Sequence, residues 1–138
     1  MSSVDARLAA FVANAPYLKF LGMRVEMAGA EMTAILPFAP DLIGNTHLPA
    51  LHGGAIGAFL EITALAQLAV IQDGPKSAKT IDVTIDYLRP GRAQTSYARA
   101  EVRKIGRTIA SVHVEAWQDD RANPFAALRG HFLLSAGG

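Results

Sequence analysis

The sequence predicts an α+β fold in which an antiparallel sheet curls around one long apolar helix. Three observations predict it. The stretch from Gly53 to about Gln72 is apolar on every side, and Glu61 is the only ionisable residue between His52 and Asp73. A helix that is hydrophobic all round has to be wrapped on most sides. Two alternating segments precede this stretch and four follow it without a second helix among them. The fourth and fifth strands carry Ala98, Ala100, Ala110 and Ala116 on the face that alternation turns inward, and small residues there leave room for a helix.

The elements follow in chain order. Val4, Leu8, Phe11 and Val12 recur at helical spacing and predict a short amphipathic helix, stopped by Asn14-Ala15-Pro16. Met23, Val25 and Met27 alternate with Arg24 and Glu26 as a first strand. Gly29-Ala30 is a turn, and Met32, Ala34 and Leu36 return as a second strand in hairpin. Pro37 to Pro49 is a loop, punctuated by Pro40, Gly44 and Asn45. The long helix comes next, closed by Asp73-Gly74-Pro75. In the third strand Ile81, Val83, Ile85 and Tyr87 alternate with Thr80, Asp82, Thr84 and Asp86, up to Pro90-Gly91. The fourth strand runs from about Gln94 to Ile105 and turns at Ile105-Gly106. In the fifth, Ala110, Val112, Val114 and Ala116 alternate. Asp119 to Pro124 is a loop before a sixth strand from about Phe125 to Leu134. The economical arrangement of these parts is the hotdog, a sheet wrapped around its helix. One such sheet leaves an open edge, so pairing with a second copy is expected.

Length and composition bound the function. A chain of 138 residues supports one core, so a single domain over residues 1–138 is expected. Its net charge of +1 provides no field for nucleic acid or an acidic membrane. The absence of cysteine excludes a disulfide scaffold, a thiolate nucleophile and a Cys-type zinc site. No His/Asp/Glu spacing suggests a metal, and no cofactor is implied. Met1 to Asn14 lacks the basic and apolar regions of a signal peptide, so a cytoplasmic location is expected. Gly53 to Ile71 has the length of a membrane span, but Glu61, Thr63 and Gln67 and the Ala/Gly content predict a buried core helix.

Two features of that helix carry chemistry. A lone buried carboxylate costs several kcal/mol unless it is paired or neutralised. Glu61 is therefore either a structural carboxylate at a subunit seam or a general base or nucleophile. His52-Gly53-Gly54 opens the helix. Two glycines let a ligand approach the backbone, and the free N–H groups of a first turn favour an anion such as a developing oxyanion. The plain structural alternative is a tight loop-to-helix turn.

The segment Leu51-His52-Gly53-Gly54-Ala55-Ile56-Gly57-Ala58-Phe59-Leu60-Glu61 resembles the signature of hotdog thioesterases related to phenylacetyl-CoA and 4-hydroxybenzoyl-CoA thioesterases, in which an acidic residue stands nine positions after the His of an HGG. Thr80 to Pro90 resembles their S/T-x-D-x-x-x-x-Y-x-x-P segment, and Arg103-Lys104-Ile105-Gly106-Arg107-Thr108 their basic hairpin. The resemblance implies an acyl-CoA thioesterase. It implies that Glu61 activates water or attacks the thioester carbonyl, that the Gly53 amide polarises that carbonyl, and that His52 holds the loop or the leaving group. Thr80 would orient the water or the carboxylate, although simple alternation puts it on the face opposite Ile81. Asn45 would line the site from the preceding loop, one residue farther from His52 than in the resembled pattern. Gly54 would sit against substrate. Homodimers, or dimers paired into homotetramers with sites at the subunit seam, are implied too.

Six basic residues, Arg89, Arg92, Arg99, Arg103, Lys104 and Arg107, stand against one acid, Glu101, in the same stretch. CoA carries a 3′-phosphate and a pyrophosphate, which suit such residues. Arg89, Arg103, Lys104 and Arg107 are the expected contacts, against the alternative of a solvated strand face. Two other activities use the same elements. A hotdog β-hydroxyacyl thioester dehydratase would pair His47 with Glu61, fourteen positions on. A non-catalytic acyl-CoA-binding domain would not need a buried carboxylate.

Overall fold

The computed structural model describes residues 3–72 and 76–136. The turn expected at Asp73-Gly74-Pro75 lies outside them. Helix α1 spans Val4–Ala13; Ser3 caps it by accepting from the Ala6 N–H at 3.0 Å, and Asn14 closes it. The chain turns directly into α2, Pro16–Leu21, which the sequence reading missed. Pro16 both stops α1 and starts α2, because its fixed φ and missing N–H suit the first helical position. Gly22, at φ 76°, ends α2 in the left-handed region.

Strands β1 (Arg24–Ala28) and β2 (Glu31–Leu36) form the expected hairpin through Gly29 at φ 64°. The following loop is more ordered than its prolines suggest. A 3₁₀ turn at Pro40–Leu42 leads into β3 (Ile43–Asn45), which pairs with β4 (Ala50–Leu51). The His52 N–H donates to the Leu42 carbonyl at 2.7 Å, so this small hairpin fixes where the long helix begins.

Helix α3, Gly53–Ile71, is followed by β5 (Lys76–Tyr87), β6 (Ser96–Ile105), β7 (Ile109–Trp117) and β8 (Ala126–Ala136). All pairings are antiparallel, in the order β1-β2-β6-β7-β8-β5. The first strand after α3 thus lies at an edge beside the last strand. The α3 side chains Phe59, Leu60, Ala64 and Leu68 are fully buried in one cluster with Ala98, Ala110, Val114, Ala116, Leu128 and Phe132. Each large apolar side chain so buried contributes about 1.5–3 kcal/mol. The small inward residues of β6 and β7 let α3 lie close to the sheet, as the sequence predicts. By length and composition α3 could cross a membrane. In this fold the side that carries Phe59, Leu60, Ala64 and Leu68 is covered by the sheet, and the side of Ala58, Ile62 and Leu65 is covered only in part.

One departure from simple alternation matters. Thr80 pairs with Phe132, yet Asp82 pairs with His131, so Ile81 is a bulge residue. An extra residue in one strand exchanges the faces of everything upstream of it. Val83 and Ile85 turn inward as expected, whereas Ile81 is 51% exposed. Thr80 moves to the inner face. One rung beyond the bulge Gly130 pairs with Val83, and a Cβ there would lie 2.9 Å from both the Asp82 carbonyl oxygen and Val83 Cγ1. Glycine is required there by this close approach.

Candidate active site

The start of α3 is built from glycines and one aromatic. His52 caps the helix: its Nδ1 accepts from the Gly54 N–H at 2.9 Å, which leaves Nε2 as the protonated nitrogen of the neutral ring. A Cβ on Gly44 would lie 2.8 Å from the His52 Cα, so the loop passes only because residue 44 has none. Tyr87 donates its hydroxyl to the Gly53 carbonyl at 2.8 Å. Gly57 lies one turn on, where a Cβ would meet Ile85 Cδ1 at 3.0 Å. The helix N-terminus is therefore seated on the second half of β5. The Gly53 N–H, at the first helical position, has no intrahelical acceptor and is placed to receive an anionic oxygen.

Glu61 lies midway along α3. It is half-buried rather than enclosed, because the stripe Ala58, Glu61, Ile62, Leu65 and Ala69 is only partly covered by this chain's own sheet. Thr80 Oγ1 donates to Glu61 Oε2 at 2.5 Å. The bulge at Ile81 makes this contact possible. It removes the difficulty that alternation raises for Thr80.

Gly53 and Glu61 are eight positions apart on one helix, which separates them by about 12 Å along the axis. An oxyanion donor must come within roughly 3 Å of the oxygen it stabilises. On one chain the two groups therefore stand well apart for work on a single carbonyl.

Other expected residues fall elsewhere. Asn45 Oδ1 accepts from the main-chain N–H groups of His47, at 2.9 Å, and Leu48, at 3.3 Å. Its carbonyl oxygen is thus engaged in holding the 45–48 turn. His47 is exposed in that turn, and its ring makes no hydrogen bond among the described residues. Gly54 is exposed at the helix mouth.

The basic stretch does not stay together. Arg89 and Arg92 line one polar pocket with Asp119 and Asp120, at the sheet end that holds the α3 N-terminus. Arg92 is paired with Asp119. Arg103, Lys104 and Arg107 belong to the β6–β7 hairpin, whose base is level with Thr80 through the rung Ile105–Ala110–Phe132–Thr80. Arg103 contacts Glu101 at 3.0 Å and the His113 ring at 2.9 Å. Arg99 is tied to Glu31 and Thr33. A single cationic cluster in the sequence is therefore two separate groups in the fold, because β6 carries the chain from one end of the sheet to the other. Among the described residues no group of three metal-ligating side chains occurs.

Sequence reasoning gave Tyr87 only a place on the third strand, in an acyl pocket or in the core, whereas the structure gives it the α3 N-terminus to hold. The signal was available in the Y-x-x-P spacing of Tyr87 and Pro90.

An antiparallel sheet wrapped around a long apolar helix is the hotdog fold, and the threonine-bound carboxylate on that helix makes it a candidate enzyme of that class. Over residues 48–124, more than half its length, the chain matches the thioesterase superfamily, and it belongs to that family. It is similar to the medium/long-chain acyl-CoA thioesterase YigI of Escherichia coli K12, with 30% identity over 126 residues that cover 80% of this chain and 81% of the relative. A solved protein from Chromobacterium violaceum is 40% identical, with a TM-score of 0.75, covering 96% of this chain and 93% of that one. The PaaI protein of the E. coli phenylacetic acid degradation operon shares the fold, with a TM-score of 0.84 at 21% identity over 97% of this chain and 94% of its own.

Proposed function

We propose that the protein hydrolyses an acyl-CoA thioester, with water cleaving the C–S bond to give the free acid and CoA thiol. The observation that carries this reading is the Glu61–Thr80 pair on the open stripe of α3. Thr80 engages one carboxylate oxygen and leaves the other without a hydrogen bond among the described residues. That oxygen acts as a general base toward water or as the nucleophile toward the thioester carbon. The Gly53 N–H stabilises the oxyanion, His52 holds its loop, and Asn45 shapes the loop before it. Because of the 12 Å separation, we assign each site the Gly53 of one copy and the Glu61 of a second.

The open stripe and the β5 edge support a homodimer. Its pairing into a homotetramer, and a cytoplasmic setting, belong to the same proposal. The similarity to YigI supports a medium or long acyl chain. Arg89, near the α3 N-terminus, and the hairpin residues Arg103, Lys104 and Arg107 are the two groups available for the CoA phosphates, with Gly54 at the mouth between helix and substrate.

The test is release of CoA thiol from a series of acyl-CoAs. Glu61→Gln is expected to lower kcat by about 10²–10⁴ with the fold retained. Undiminished hydrolysis by that variant would sink the reading. A single turnover in heavy-oxygen water separates the two roles of Glu61. A general base places the label in the acid at once, whereas a nucleophile first delivers its own light oxygen.

A further inference from the structure

A cavity of about 420 Å³ lies between α1, the last turns of α3 and the start of β5. Phe11, Leu65, Leu68 and Ala78 make most of its wall apolar, and Arg7, Asn14 and Ser77 line it too. Gln72 also lines it, is only 9% exposed, and finds no partner for either Nε2 or Oε1 among the described residues. Leaving both ends of a buried amide unsatisfied is costly, and native proteins seldom do it without a use. The cavity is not a simple packing fault. Arg7 clamps α1 over it, donating Nε at 3.0 Å and Nη2 at 2.7 Å to the Val70 carbonyl.

The cavity is in line with the candidate active site. Leu65, Leu68 and Gln72 follow Glu61 at four, seven and eleven positions, one face of one helix. On β5, Ala78 stands two residues before Thr80, on the same side of the strand because the bulge comes after both. The path from Glu61 to Gln72 is about 16 Å, eleven residues at the helical rise.

We propose that this cavity receives the far end of the acyl chain and that Gln72 selects chains with a hydroxyl at or near that end. The proposal rests on the acyl-CoA reading above. An amide offers one donor and one acceptor side by side, and a hydroxyl returns an acceptor and a donor. A methyl terminus would leave both amide groups unpaired. The substrate class is thus an ω-hydroxyacyl thioester of medium length.

The experiment compares kcat/KM for ω-hydroxydodecanoyl-CoA and dodecanoyl-CoA, together with calorimetric binding of the two free acids. About a tenfold preference for the hydroxylated ester is expected, the effect of one net hydrogen bond. In Gln72→Met, which keeps the length and removes both polar groups, the preference should vanish or reverse. Ala10→Phe, on α1 and outside the stripe that a second copy covers, is the second variant, and by filling the cavity it should move the preferred chain length downward. Equal kcat/KM for the two esters, or a ratio unmoved by Gln72→Met, overturns the assignment while leaving the thioesterase standing. If no CoA ester is hydrolysed yet the hydroxy acid binds in a Gln72-dependent way, the cavity assignment stands and the thioesterase reading falls. Neither hydrolysis nor selective binding overturns both.

Discussion

Glu61 is held by a single described hydrogen bond, and the donor sits on a different element. Thr80 reaches it at 2.5 Å from β5 and fixes one carboxylate oxygen. A half-buried neutral-to-charged bond of this kind is worth roughly 1–2 kcal/mol, so its loss should be felt as misplacement rather than unfolding. Thr80→Val keeps the shape and removes the hydroxyl. It is expected to lower kcat about tenfold with little change in KM, and Thr80→Ser should restore most of the rate. A rise in KM with kcat untouched would mean that Thr80 binds substrate and does not position the carboxylate. His52 contributes on the stability side. Its ring satisfies the Gly54 N–H, and His52→Ala should cost about 1 kcal/mol, the usual worth of an N-cap, read as a lower Tm.

At the scale of elements the bulge in β5 decides whether Thr80 and Glu61 meet. It is held against β8 at Gly130, where any Cβ presses on the Asp82 carbonyl and Val83. Gly130→Ala is expected to destabilise the protein by about 1–3 kcal/mol, as overpacking does, and to reduce kcat through Thr80. An unchanged Tm with full activity would remove Gly130 from this role. The two basic groups also separate at this scale. Neutralising Arg103 and Lys104 together, and Arg89 alone, should raise KM for CoA esters in whichever group meets the phosphates, with kcat less affected. No change in KM for either variant would remove both from substrate binding. The sequence displayed these cations as one run and could not show that β6 divides them.

At the scale of the whole molecule a second copy is the natural completion. The stripe Ala58, Ile62, Leu65 and Ala69 is apolar and only half-covered, and Glu61 lies within it. The sharing of sites can be read by complementation. Gly53→Pro deletes the N–H at the first helical position, where proline is well tolerated, and His52 already has the extended backbone that a following proline requires. Gly53→Pro and Glu61→Gln should each be inactive alone. Unfolded and refolded together, they should regain roughly a quarter of the wild-type rate, since half the dimers are mixed and each mixed dimer holds one intact site. No recovery in demonstrably mixed dimers would return both groups to a single chain. Light scattering gives the number of copies.

The sequence by itself determined the wrapped helix, the hairpins and the strand faces that enclose it. An all-apolar helix and alternating strands admit few arrangements, and these signals are local. It also singled out Glu61, because a lone charge in an apolar run stands out without any knowledge of neighbours. Tertiary structure alone decided which residues meet. The bulge at Ile81 brings Thr80 to Glu61, although strict alternation points them apart. The helical rise separates Gly53 from Glu61, although they stand only eight positions apart along the chain. The clamped α1 leaves Gln72 facing a cavity, although nothing in the sequence marks that glutamine. For Thr80 and for Gln72 the outcome depends on a contact between elements distant in the chain, which no periodicity within one element records; for Gly53 and Glu61 it follows from the rise of the one helix that carries both.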